Sequence, residues 1–96
     1  MPEYTYEAVE WIHDHQDEPV LVLAELSDQR YEVRKIEVFK DGRVFRVRRE
    51  TPEVEMTQLA DQAWPSLSSI NSDSSARFQG KVVSKSYFEA IWSGRI

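Results

Sequence analysis

Residues 30–48, RYEVRKIEVFKDGRVFRVR, contain the clearest structural signal in this 96-residue chain. Two runs rich in β-branched and aromatic residues flank the tetrapeptide KDGR at 40–43. Asp-Gly between such runs is typical of a tight hairpin, because glycine adopts positive φ without steric cost. The stretch predicts two antiparallel strands joined by a two-residue turn, with a bulge near Arg34-Lys35 where the alternation of side chains changes phase.

Two more strands are predicted before this hairpin. Tyr4 to Ile12 alternates aromatic and polar residues, and its change of phase near Ala8-Val9 predicts a bulge. Asp17-Glu18-Pro19 is a turn signal, and the run VLVLAEL at 20–26 is typical of a strand buried on both faces. Residues 4–49 are therefore predicted to form a four-stranded antiparallel meander.

The chain after Thr51-Pro52 changes character. Residues 57–63 have weak helical potential, Ser66 is placed to cap a short turn, and residues 71–76 are polar enough for a loop tip. Residues 78–83 are predicted to be extended.

The last segment predicts an amphipathic helix. Ser84 is its N-cap, Phe88, Ile91 and Trp92 share one face, and Gly94 ends it. An apolar helix face of this kind must pack against another element, here the sheet. We therefore predict one α+β domain, residues 1–96, in which an antiparallel sheet of four to five strands carries the C-terminal helix on one face.

Composition limits the classes of function. The chain has no cysteine, which excludes disulfides, thiolate zinc sites and a cysteine nucleophile. Its N-terminus lacks the pattern of a signal peptide, and no apolar run approaches the eighteen or so residues of a membrane span. We expect a cytoplasmic protein that does not enter the membrane.

Charge is segregated along the chain. Residues 1–29 contain eight acidic residues and no lysine or arginine, whereas residues 30–49 contain eight basic and three acidic residues. Opposite charges on neighbouring strands favour pairing, which is the better supported interpretation. The same segregation creates a field that steers a charged partner.

The stretch WIHDHQDEP at 11–19 holds both histidines. His13 and His15, with Asp17 or Glu18, resemble a metal site, and His13 beside Asp14 resembles a general base. However, no distant third ligand, nucleophile motif or phosphate-binding loop accompanies them. We therefore predict no enzymatic activity, no metal and no cofactor, and expect His13 to be a half-buried ring at a strand end.

A binding protein is the leading prediction. A negative patch of Asp14, Asp17, Glu18, Glu25 and Asp28, beside His13 and with Trp11 or Tyr31 as anchor, would complement a basic toxin or nuclease. One alternative is a nucleic-acid-binding module that uses the arginines of the hairpin, namely Arg43, Arg46, Arg48 and Arg49. The net charge of −5 makes nucleic acid an unlikely partner. A second alternative is a minor metal- or histidine-dependent enzyme that uses His13.

The motifs W-x-H-D-x-x-D-E-P-V at 11–20, R-Y-E-V-R-K-x-E-V-F-K-D-G-R at 30–43, P-S-L at 65–67 and S-K-x-x-F-E-x-I-W at 84–92 span nearly the whole chain. In them the chain resembles a family of small bacterial domains of unknown function, whose members are similar to immunity proteins of toxin systems. His15 and Ser69 depart from the family pattern. The resemblance implies a shared fold and a shared surface around Trp11, His13, Asp14, Asp17 and Glu18, not a reaction.

Overall fold

The computed structural model describes residues 4–15, 17–48, 63–72 and 77–94. Its elements are β1 (Thr5–Trp11), β2 (Pro19–Leu26), β3 (Glu32–Phe39), β4 (Val44–Arg48), α1 (Leu67–Asn71), β5 (Phe78–Val82) and α2 (Lys85–Trp92). The strands form one antiparallel sheet in the order β4-β3-β2-β1-β5. The predicted α+β fold is confirmed: β1 to β4 form the meander, and β5 adds a strand beside β1.

The hairpin between β3 and β4 differs from the predicted two-residue turn. Phe39 N–H donates to the Arg43 carbonyl at 2.9 Å, and Gly42 N–H donates to the Phe39 carbonyl at 3.0 Å. Residues 40–42 therefore form a three-residue loop, in which Gly42 supplies the positive φ of 94°. The position of the turn is as predicted, and its length is one residue greater.

The bulges lie only partly where the alternation predicted them. Pairing of β1 with β2 is regular from Thr5 to Glu10, so the bulge expected near Ala8-Val9 is wrong. Between β2 and β3 the register shifts where Leu26 pairs with Glu32 and Glu25 with Arg34, which leaves Val33 as the extra residue. This bulge lies one residue before the predicted position. The phase change in β1 instead reflects burial of both its faces.

The core lies between the sheet and α2. Ser84 caps this helix through a hydrogen bond from Tyr87 N–H at 3.0 Å, as predicted, and Gly94 follows it with φ 75°. Phe88 and Ile91 of α2 pack on a cluster of buried sheet side chains. These are Tyr6, Ala8, Leu23 and Ile36. We refer to this side of the sheet as the helix face, and to the other as the open face.

An ion-pair network fastens α2 to the sheet. Arg34 donates to both oxygens of Glu25, at 2.7 and 2.9 Å, and to Glu89 of α2 at 2.9 Å. Its guanidinium lies 4.8 Å from the ring centroids of both Phe88 and Trp92. Glu25 and Arg34 are direct cross-strand neighbours. This contact confirms the prediction that acidic residues of the first strands pair with the basic segment that follows.

Because of Tyr6, the stability that this network contributes is lost at alkaline pH. Its hydroxyl donates to Glu25 at 2.6 Å, and burial together with that carboxylate raises the pKa of Tyr6 to about 12. The folded pKa lies above the unfolded value, so the contribution is complete below pH 10 and lost as pH rises through 12. We expect wild type to lose on the order of 2 kcal/mol more than Tyr6→Phe across this range, in urea titrations at fixed pH.

A control separates this effect from general alkaline unfolding. Tyr31, 41% exposed, offers the same substitution at a solvent-facing position. Tyr31→Phe should keep the wild-type dependence on pH. Parallel curves for wild type and Tyr6→Phe between pH 9 and 12 would contradict the prediction.

Several predictions concern residues that the structure describes only in part or not at all. The helical potential of residues 57–63 lies outside the described residues except for Ala63, which is not helical. The loop expected at 71–76 is described only at its first two residues, and Arg49 is also outside. Neither of the described helices is long and apolar enough to cross a membrane.

Candidate functional site

The acidic loop, which the structure describes at residues 13–15 and 17–18, joins β1 to β2 at one end of the sheet. Its three carboxylates, Asp14, Asp17 and Glu18, are exposed, and the side chain of Asp14 is fully so. Lys40 from the adjacent hairpin reaches Asp14 only at 3.9 Å. A solvent-exposed pair of this kind is weak, so the loop presents a negative surface.

His13 has both ring nitrogens occupied within the loop. His15 N–H donates to Nδ1 at 2.9 Å, and Nε2 lies 2.8 Å from the carbonyl of Pro19. A backbone N–H only donates and a carbonyl only accepts, so Nδ1 accepts the first hydrogen bond and Nε2 is placed to donate the second. The single lone pair that would bind a metal is therefore already used. Among the described residues, no three His, Asp or Glu side chains are grouped to hold a metal ion.

Aromatic rings connect this loop to the open face of the sheet. The ring of Phe78 stacks on that of Trp11 with centroids 5.5 Å apart, His13 lies 4.2 Å from Trp11, and His15 lies 5.3 Å from His13. Trp11 and Phe78 are cross-strand partners in β1 and β5. The rings form a continuous series from the sheet to the acidic carboxylates, which we call the aromatic ladder.

The aromatic ladder borders a cleft of about 470 Å³ on the open face. Most of its lining is apolar. The side chains that form its walls are Val9, Trp11, Val22, Trp64, Ile70 and Phe78. Clefts of this size and character are the usual binding sites of proteins.

Arg30 fixes the Trp64 side of the cleft. Its guanidinium donates to both oxygens of Glu7, at 2.8 and 2.9 Å, and to the carbonyls of Trp64 and Pro65, at 3.1 and 2.8 Å. In return, the backbone N–H of Trp64 donates to the Arg30 carbonyl at 2.7 Å. Hydrogen bonding to Glu7 holds the pKa of Arg30 above its ordinary value. Arg30 adopts a positive φ of 68°, a conformation uncommon for a residue with a side chain.

Helix α1 also borders the cleft, and Gly80 lets this helix approach β5 closely. A Cβ at Gly80 would lie 2.8 Å from Leu67 Cδ2 and 3.3 Å from Ile70 Cγ2. The side chain of Asn71 bonds both the N–H and the C=O of Gly80, at 2.7 and 3.1 Å. Ser66 caps α1 as predicted, accepting from Ser69 N–H at 3.2 Å. Ile70 of α1 lines the cleft.

Three charged side chains also line the cleft, namely Glu32, Lys35 and Glu37. Lys35 Nζ lies 3.5 Å from Glu37 and 3.9 Å from Glu32, and all three side chains are largely buried. They add polar contacts to an otherwise apolar surface, which is the composition expected of a specific binding site.

The residues of the predicted negative patch do not all lie on one exposed surface. Glu25 is only 5% exposed and its carboxylate is bound by Arg34 and Tyr6, so it offers no surface charge. Asp28 and Tyr31 are exposed, but they lie in the turn between β2 and β3, at the other end of the sheet. The patch is thus reduced to the acidic loop beside Trp11 and His13.

Of the three described arginines proposed for nucleic acid, two are used within the chain. Arg43 pairs with Asp41 at 2.8 Å and lies over the Phe39 ring, and Arg46 donates to the Ile91 carbonyl at the end of α2, at 2.8 and 3.1 Å. Arg48 is exposed at the far end of β4. Arg46 therefore helps to hold α2 against the sheet.

Two cleft residues, Trp64 and Phe78, escaped prediction as site residues. Trp64 precedes the Pro65-Ser66 cap signal, and Phe78 opens an extended segment, so each reads as an isolated apolar residue. They meet Trp11 only because β5 pairs with β1. The alternation of Val9 and Trp11 on one face of β1 was the available signal.

Comparison with known proteins gives a family. Residues 5–96 match the family model described as Domain of unknown function (DUF6881). No match was found among curated proteins or among solved structures.

Proposed function

Because this chain belongs to the family DUF6881, a domain of unknown function, we propose its function from the site: a small non-catalytic domain that binds a basic protein. One observation carries this proposal. The exposed carboxylates of the acidic loop lie beside an open aromatic cleft, and the aromatic ladder joins the two. Interfaces combine an aromatic anchor with a charged rim in this way.

The more specific form of the proposal is an immunity protein. Its partner would be a toxin or nuclease whose basic active site is covered by the acidic loop, in the cytoplasm of the producing cell. Charge complementarity supports this reading, because a negative loop on a rigid sheet accelerates encounter with a basic surface and fixes its orientation. The nucleic-acid alternative is less well supported, since Arg46 is bound to α2 and Arg43 to Asp41.

Affinity purification from the source cells tests the proposal. The bait is the wild-type chain, compared with Asp14→Asn/Asp17→Asn and with the control Asp28→Asn/Glu10→Gln. Both double variants remove two exposed negative charges, but only the first changes the acidic loop. We expect a stoichiometric basic partner with the wild type and the control, and at least tenfold less with the loop variant.

The immunity function requires a further result. The captured protein, expressed alone, should arrest growth, and co-expression of this chain should relieve the arrest. A partner retained equally by both double variants, or the absence of any stoichiometric partner, would count against the proposal.

A further inference from the structure

We infer that the cleft holds one large apolar side chain of the partner, in a partner segment where lysine or arginine flanks that side chain. This inference rests on the proposed function and names the kind of segment that the site recognises. It concerns what the cleft itself binds, whereas the experiment that tests the proposed function changes only the acidic loop.

The walls of the cleft decide which side chain enters it. Trp11 and Phe78 present stacked rings, and Ile70 of α1 adds an aliphatic side chain to the same lining. Burying an apolar side chain against such walls removes apolar surface from water on both partners. A charged side chain would lose its hydration there, so an aliphatic or aromatic side chain fits better.

The cleft is formed before any partner arrives. Arg30 ties Trp64 and Pro65 to Glu7 by direct hydrogen bonds, and Asn71 ties α1 to Gly80. Because these walls are already ordered, binding costs little conformational entropy. A short segment can therefore bind without help from a large interface.

The acidic loop determines what flanks the apolar side chain. His13 packs on Trp11, a residue of the cleft lining, with ring centroids 4.2 Å apart, and the exposed Asp14 follows His13 in the chain. A partner segment that contacts Trp11 therefore lies close to the acidic loop. Lysine or arginine beside the apolar residue gains from this field, and glutamate or aspartate is repelled.

Three synthetic peptides test the inference without knowledge of the natural partner. The first, GSKKLKKSG, carries a leucine between lysines; GSEELEESG reverses the charge, and GSKKGKKSG removes the apolar side chain. Nuclear magnetic resonance titration of the 15N-labelled chain reports on the indole N–H signals. We expect the first peptide to shift the signals of Trp11 and Trp64 and to bind at least tenfold more tightly than the other two. Trp92, which stacks on Phe88 at the helix face, is the internal reference and should not shift.

Variants locate the binding on the open face. Trp11→Ala should weaken binding of the first peptide at least tenfold, whereas Tyr87→Ala, an exposed aromatic of α2, should leave it unchanged. The three peptides on wild-type protein decide the question even if Trp11→Ala does not fold. Equal affinity of the first peptide and either of the other two, or no shift of Trp11 and Trp64 at millimolar peptide, overturns the inference. Capture of a partner through the acidic loop would then leave the proposed function standing without the cleft.

Discussion

Arg34→Met is expected to lower the free energy of unfolding by about 3–5 kcal/mol, the range for removing one partner of a buried ion pair. Methionine is a flexible apolar side chain of similar length, but it lacks the guanidinium that lies over Phe88 and Trp92 and leaves Glu25 with only the hydroxyl of Tyr6. Burial alone would raise the pKa of Glu25, and the hydrogen bonds from Arg34 and Tyr6 lower it below its ordinary value. Urea unfolding at pH 7 measures the loss.

The loss of stability at acidic pH gives a second measurement of the Arg34–Glu25 pair. Since the folded pKa of Glu25 lies below its unfolded value of about 4.3, its contribution is present above that pH and lost as pH falls through the folded pKa. Glu89 behaves alike, because its hydrogen bond from Arg34 lowers its pKa too. Arg34→Met should therefore lose less stability than wild type between pH 5 and pH 2.

Two controls separate burial from charge. Arg43→Met breaks the exposed pair with Asp41 and should change the free energy of unfolding much less than Arg34→Met does. The double variant Arg34→Met/Glu25→Met leaves no unpaired charge in the network of β2 and β3, and should recover most of the loss. An Arg34→Met variant that is as stable as Arg43→Met would show that the network does not stabilise the fold.

The elements of this fold follow from local patterns, and its charged interior does not. Asp-Gly in the hairpin and the serine caps of both helices act within a few residues, so the sequence predicts them. Glu25 reads as a surface residue in VLVLAEL. It is buried because Arg34 lies opposite it and because Glu89, 55 residues beyond Arg34, completes the network.

The acidic half of the site could be predicted, and the cleft could not. Asp14, Asp17 and Glu18 are adjacent in sequence, and a turn beside Pro19 exposes them. The cleft needs β5 to cross to the edge of β1, which brings Phe78 to Trp11. It also needs a positive φ at Arg30, for which a non-glycine residue gives no sequence signal.

Arg30→Met should cost about 3 kcal/mol of unfolding free energy and should also release Trp64 from the cleft. Glu7 is 3% exposed and would lose its two hydrogen bonds from the guanidinium, while the one-third exposure of Arg30 places the cost at the lower end of the range for buried pairs. The carbonyls of Trp64 and Pro65 lose their donors in the same step. Urea unfolding measures the stability, and the indole N–H signal of Trp64 reports the release.

Arg30→Lys distinguishes the two roles of this side chain. Lysine restores a positive charge beside Glu7, but it has no planar fork that can reach Glu7 and two carbonyls at once. We therefore expect stability to recover substantially while the Trp64 signal stays displaced and the affinity for GSKKLKKSG stays low. Lys40→Met, at the exposed contact with Asp14, should change neither the stability nor the Trp64 signal measurably. If Arg30→Lys restored both the stability and the Trp64 signal, charge alone would hold the wall of the cleft. If Arg30→Met left Trp64 in place, the wall would be fixed by packing rather than by Arg30.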